Sequence, residues 1–203
     1  MTCQKVALFS VKNKQTLILA SASPRRKDLL AEIGIIPDHI IPTDIDETPF
    51  RGEKPRTYVQ RMAVEKAAAL SGHDDAYVLA ADTVVVMGTR ILQKPVDADE
   101  SYKFLSLMSG RRHTVMGGIC LRTPSGKIIT RICETKVKFK SLSEDEKRTY
   151  VESNEWDGKA GGYAIQGRAA AFIPFISGSY SNIVGLSLHD TVQMLAGNGF
   201  RLG

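Results

Sequence analysis

The sequence predicts an α/β fold with a mixed sheet and a cleft, on the strength of alternating elements, hairpin signals and one misplaced charge. Apolar runs of strand length alternate with helical segments through the first half of the chain, and hairpins follow in the second. One acid, Asp82, interrupts the longest apolar strand, "YVLAADTVVV" (77–86). At 203 residues, 43% hydrophobic and 24% charged, the chain has material for one large α/β domain or two small lobes.

Residues 1–15, "MTCQKVALFSVKNKQ", read as a leader: their apolar segment is too short for a signal peptide, and no A-x-A-like site follows. The domain is expected to fill 16–203. Thr16 to Ala20 reads as a buried strand. A helix follows over Pro24 to about Ile33, with Ser23 as N-cap, Pro24 at the first helical position and Gly34 just past the end. Residues 39–53 are irregular and acidic, and a second helix runs from about Pro55 to Ser71 and stops at Gly72. After the strand at 77–86, an acid-capped helix spans about 98–108, and residues 112–140 form two strands around the turn Pro124–Gly126. Ser143 and Glu146 make a capping box for a helix to about Ser153. A glycine-rich loop (157–168) leads to strands expected near 171–176 and 182–186, then a final helix over 188–197.

Several function classes drop out. The net charge of +5 comes without a lysine-rich tail or a basic stripe interleaved with aromatics, which argues against nucleic acid as partner. A binder of small polyanions would carry the same excess. No run approaches roughly 18 apolar residues, so no membrane span is expected. Three cysteines (Cys3, Cys120, Cys133) without a C-x-x-C, and four scattered histidines, disfavour a disulfide framework or zinc site and favour the cytoplasm. Neither a P-loop, a G-x-G-x-x-G fingerprint nor a G-x-S-x-G nucleophile is present, and His113 and His189 read as structural.

The remaining chemistry concentrates in a few places. "LILASASPRRKDLL" (17–30) puts Arg25, Arg26 and Lys27 at a helix start, against the dipole. Free N–H groups there, hydroxyls from Ser21 and Ser23, and arginine forks suit a polyphosphate. A capped helix with solvated arginines is the alternative. In the second helix Lys66 emerges within the apolar stripe of Val59, Met62, Ala63 and Leu70, where a snorkelling lysine is the bland reading. Asp46 and Glu47 lie in the loop before it. Asp82 needs a cation, a metal or acid–base work to justify a place in an apolar strand, a structural ion pair being the alternative. Lys94, folded back by the Gly88-Thr89 turn, is its expected partner. Lys159 and Gln166 sit on the glycine-rich loop, whose backbone can approach a ligand.

These segments also carry a resemblance. "ASASPRR" (20–26), "DETP" (46–49), "RMAVEKA" (61–67), "AADTVV" (80–85), "ILQKP" (91–95), "SGRRHTV" (109–115) with Gly117 and Gly118 following, "KAGGYAIQG" (159–167) and "GSYSNIVGLSL" (178–188) stand in the order and spacing of the Maf family. Its members are nucleoside triphosphate pyrophosphatases, also called septum formation inhibitors. The resemblance runs from Thr16 onward. It implies an elongated α/β fold of two lobes around a central nucleotide-binding cleft. It also implies hydrolysis of a nucleoside triphosphate between its α- and β-phosphates with a divalent cation, Mg²⁺ or Mn²⁺.

Carried onto matching positions, Asp82 resembles the family's proton acceptor. Ser21, Arg26, Glu47, Lys66 and Lys94 resemble the rest of the catalytic and phosphate-binding set, with Glu47 and Asp82 as the metal-holding carboxylates. Arg25, Thr83 and Gln166 match the branch that acts on dTTP and UTP. The 7-methyl-GTP branch carries tryptophan where this chain has Arg25. Ala164 stands where the family usually has glycine. Within the same family, activity on 7-methyl-GTP or other modified nucleotides is the alternative. A nucleotide-sensing division regulator is another, against which the intact set of Glu47, Lys66, Asp82 and Lys94 argues. The sequence leaves oligomeric state open, a homodimer included.

Overall fold

The computed structural model describes residues 15–202, so the leader expected over 1–15 falls, apart from Gln15, outside the described residues. In chain order the elements are β1 (Leu17–Ala20), α1 (Pro24–Glu32), β2 (His39–Ile40), α2 (Pro55–Ala68), β3 (Tyr77–Met87), β4 (Arg90–Leu92) and α3 (Ala98–Met108). Then come β5 (Arg112–Arg122), β6 (Ile128–Lys138), α4 (Glu144–Glu152), β7 (Phe175–Ser177), α5 (Tyr180–Val184) and α6 (Leu188–Gly197). One seven-stranded sheet runs β2-β1-β3-β5-β6-β7, with β4 added on β3. β1 is parallel to β2 and β3, and the other pairings are antiparallel. This is the mixed α/β sheet that the sequence predicts.

The local signals mostly act as read. Val59, Met62 and Ala63 are fully buried and Lys66 is 7% exposed, so the apolar stripe of α2 does face the sheet. Ser143 Oγ accepts from the Glu146 N–H at 3.2 Å, and Glu146 Oε2 accepts from the Ser143 N–H at 2.9 Å, completing the capping box. Ser23 holds the N-cap position of α1, but its hydroxyl makes no capping bond. Its own N–H instead donates to Ser21 Oγ at 3.1 Å. His113 is structural: its Nε2 meets the Tyr163 hydroxyl at 2.8 Å, and burial pushes its pKa down to about 4.

The two late strands need correction. Residues 182–186 are not a strand but the end of α5 and the turn after it. Ser179 Oγ accepts from the Asn182 N–H at 3.2 Å, an N-cap that starts a helix. Asn182, wholly buried, then donates through Nδ2 to Val115 O and Thr135 Oγ1, each at 3.1 Å, tying α5 to the sheet. An apolar run this short has no period with which to tell helix from buried strand. The strand expected over 171–176 shrinks to β7, because a 3₁₀ turn occupies Arg168–Phe172 and Pro174 intervenes.

Gly117 and Gly118 on β5 open the sheet's two faces. A Cβ at Gly118 would lie 2.3 Å from Val59 O in α2, and one at Gly117 would lie 2.1 Å from Asn182 Oδ1 in α5. Bare backbone at these adjacent positions lets a helix seat closely on each side. Among the described residues no helix is long and apolar enough to cross a membrane.

Candidate active site

The site forms where the sheet splits. Along one edge β3 pairs with β1 up to Ala80, and with β4 only from Val85 onward. Residues 81–84 therefore have a strand neighbour on the β5 side alone. Asp82 and Thr83 sit in this gap, beside the carboxyl end of parallel strand β1, where open α/β sheets bind ligands. Successive strand residues point to opposite faces. Asp82 thus turns toward α2, and Thr83 toward α1 and α5.

On the α2 side, Lys66 Nζ lies 2.7 Å from Asp82 Oδ1 and 2.7 Å from Glu47 Oε1. Lys94, on the rim, reaches Glu47 Oε2 at 3.5 Å. The partner of Asp82 is therefore Lys66, and the expected Lys94–Asp82 pair does not form. The β3–β4 turn does fold Lys94 back, but it overshoots to the outer carboxylate. Burial by itself raises the Glu47 carboxyl, yet Lys66 and then Lys94 hold it below its ordinary range.

Glu47 sits on an irregular loop that α2 pins down. Arg61 donates to both Glu53 carboxylate oxygens (2.8 and 2.7 Å) and to Thr48 O (3.2 Å), while its guanidinium stacks 3.9 Å from the Phe50 ring centre. Asp46 is exposed and accepts from the Thr48 N–H at 2.9 Å, a turn-forming role distinct from that of Glu47.

On the opposite side, Arg26 is buried at the first turn of α1. It donates to Gly185 O at 2.9 Å, Ser21 Oγ at 2.9 Å and Thr83 Oγ1 at 3.4 Å. Every acceptor is neutral. A guanidinium has five donors, so these bonds leave some free for a ligand. Burial lowers the pKa of Arg26, with Arg25 adding to the effect against the opposing pull of Asp82. Lys159 is lowered by burial and then by Arg25. Lys27 is exposed and lies outside the cleft lining, so it does not join this group.

The two sides enclose a cavity of about 410 Å³ that brings together Ser21, Arg25, Arg26, Glu47, Lys66, Asp82, Thr83, Lys94 and Gln166. Every residue of the catalytic and binding set implied by the resemblance lines it, whereas Lys27 and Asp46 do not. Gln166 is exposed on the far wall, on the loop that Gly161 lets approach: φ there is +68°, and a Cβ would lie 2.6 Å from Val85. The sequence reading missed Tyr58, whose hydroxyl donates to Glu47 O at 2.7 Å and whose pKa burial pushes up to about 12. Its signal was legible, since Tyr58, Met62 and Lys66 follow at i, i+4, i+8. The Gly185 carbonyl was not, because backbone acceptors leave no trace in composition.

Residues 16–198 match the family described as Maf-like protein. The chain belongs to the Maf family. A dTTP/UTP pyrophosphatase of Mesorhizobium japonicum is 52% identical over 195 residues, covering 93% of this chain and 94% of that protein. One from Paramagnetospirillum magneticum is 56% identical over 185 residues, covering 91% and 97%. The solved Staphylococcus aureus Ham1 protein overlaps 62% of this chain and 72% of its own at 17% identity and a TM-score of 0.44, too slight a likeness to bear on function.

In this Maf chain Ala164 costs no strain. Its N–H donates to the Tyr150 hydroxyl at 3.0 Å, and Asn154 is the sole non-glycine with positive φ among the described residues. The fit to a metal also follows from the donor set. Among the described residues no group of three or more metal-binding side chains gathers. Mg²⁺ is usually held through one or two carboxylates together with substrate phosphates. Glu47 and Asp82 suit an ion of that kind, completed by the substrate.

Proposed function

We infer that this protein hydrolyses dTTP and UTP, modified pyrimidine nucleotides included, to the monophosphate and pyrophosphate. The observation that carries the reading is the opposition of charge across one cleft, cations without acids facing paired carboxylates. The names of relatives more than half identical to this chain agree with it. Residues 16–203 form the catalytic domain, residues 1–15 a leader, and the activity belongs to the cytoplasm.

Arg25, Arg26 and Ser21, with the N–H groups opening α1, hold the triphosphate. Asp82 accepts a proton from the water whose oxygen bonds to the α-phosphorus. The bond from that phosphorus to the oxygen bridging the β-phosphate breaks, and pyrophosphate departs with the bridging oxygen. Lys66 holds Asp82 in place through their 2.7 Å ion pair, and Lys94 steadies Glu47. A divalent cation, Mg²⁺ or Mn²⁺, held by Glu47 and Asp82 when bound, would supply charge neutralisation at the phosphates. Gln166 reads the base, because an amide offers both the donor and the acceptor that a pyrimidine face requires.

The deciding experiment measures kcat/KM for dTTP, UTP, ATP, GTP and 7-methyl-GTP with each cation, with products identified. Pyrimidine turnover well above purine turnover, with pyrophosphate as product, is expected. Equal purine and pyrimidine turnover, or release of orthophosphate alone, would refute it.

A further inference from the structure

Beyond the start of α2, the sheet face that this helix covers carries the exposed side chains of Arg112, Lys136 and Lys138. Along β6 the residues on that face are Thr130, Ile132, Glu134, Lys136 and Lys138, every second position. Gln60 donates to Thr130 Oγ1 at 3.0 Å, Ile132 packs under α2, and Arg56 pairs with Glu134 at 2.7 Å. There the compensation stops. Lys136 donates to Thr114 Oγ1 at 2.7 Å. Among the described residues Lys136, Lys138 and Arg112 have no carboxylate partner.

The register sharpens the anomaly. Thr114, Lys136 and Ser177 lie opposite one another across β5, β6 and β7, and Arg112, Lys138 and Phe175 form the next row. Residues directly opposed sit about 4.5–5.5 Å apart, and like charges there destabilise a sheet. Arg112 nonetheless faces Lys138. β6 is an inner strand, so its lysines do not serve to blunt an exposed edge. With Val86 and Gly88, parts of these rows wall a concavity of about 510 Å³ that shares no lining residue with the catalytic cleft. The Arg112 guanidinium lies 5.4 Å from the centre of the half-exposed Phe175 ring, which holds it over the hollow.

We propose that this concavity is a second anion site, taking the phosphate group of a small molecule. Arg112 grips the phosphate as a fork, Lys136 neutralises it, Lys138 adds positive charge from the adjoining row outside the lining, and the Thr114 and Ser177 hydroxyls donate to its oxygens. The anion relieves the Arg112–Lys138 repulsion, so the charge pattern and the hollow have one explanation. Free pyrophosphate and a nucleotide's phosphate share this chemistry.

The test follows backbone amide shifts of the ¹⁵N-labelled protein, titrated separately with pyrophosphate, thymidine monophosphate and sulfate. Saturable shifts at residues 112–114, 136–138 and 175–177 are expected with a phosphate probe. Saturation by pyrophosphate alone names the free anion, and saturation by the monophosphate alone names the nucleotide. The charge reversal R112E/K138E should erase these shifts while leaving those at Ser21–Arg26 and nucleotide turnover intact. Lys136→Gln, the milder variant, should weaken binding about tenfold. Linear, unsaturable shifts, equal saturation by sulfate, or shifts surviving charge reversal would overturn the proposal. So would line broadening that grows with protein concentration alone, which would mark the face as a contact between copies. Absence of the Ser21–Arg26 shifts would count against the catalytic reading only.

Discussion

At one end of the cleft Lys66 lies between two carboxylates, while at the other Arg26 is held only by hydroxyl and carbonyl oxygens. Both cations are nearly inaccessible, at 7% and 9% exposed. A buried charge must be paired or well hydrogen-bonded to persist. Lys66 meets that demand with acids and needs nothing further. Arg26 meets it with neutral acceptors; burial depresses Arg26, Arg25 and Lys159 alike, and the charge of Arg25 further lowers Arg26 and Lys159. That end gains from an anion, whereas the Lys66 end offers carboxylates for proton transfer. On the proposed reading the cleft has a direction, with phosphates toward α1 and the reacting water toward β3.

The largest expected effect breaks the carboxylate end. Asp82→Asn keeps size and shape but cannot accept a proton, and turnover should fall by roughly 10²–10⁴-fold with the thermal midpoint little changed. Near-normal turnover would strip Asp82 of the role. At the arginine end, Arg26→Ala should weaken transition-state binding by about 1.5–3 kcal/mol, read from kcat/KM. If the value stays put, the arginine serves only to bind Ser21, Thr83 and Gly185.

Smaller effects sharpen the picture. Gln166→Glu replaces a donor–acceptor pair with acceptors alone, so discrimination between dTTP and GTP should erode while catalysis persists on both. An unchanged preference would remove Gln166 from the base pocket. The pH response of Glu47 should be smallest. Because its carboxyl is held below the ordinary 4.5, its stabilising contribution is full above that value and is lost only as pH falls through the depressed one. Followed by ¹³C NMR, the Glu47 titration midpoint should rise in Lys94→Ala. A midpoint identical to that of the unmodified protein would detach Lys94 from this end.

Much of the site was legible because its chemistry breaks local rules. Asp82 stands out in an apolar strand, Lys66 in an apolar stripe, and Arg25 and Arg26 at the wrong end of a helix dipole. Each is a local inconsistency that only a tertiary partner resolves, and such inconsistencies gather at functional sites. What stayed hidden was pairing. Lys94 was a fair candidate for Asp82 by chain distance, since nothing in sequence says how far a turn carries a side chain. The α5 segment was misread as strand because its fate hangs on Asn182, whose hydrogen bonds lie on β5 and β6.

The sequence alone determined the elements up to the glycine-rich loop and the final helix, since proline, glycine and capping residues act over a few positions and apolar periodicity marks which faces must be buried. It marked the residues to which the proposed chemistry is assigned, since a charge among apolar neighbours is costly wherever it lies. The tertiary structure decided that β3 loses its neighbour at residues 81–84, between β1 and β4. That gap turns an interior strand residue into a wall of a cleft. It depends on strand register, a property of pairs of segments far apart in the chain, which no single stretch of sequence contains.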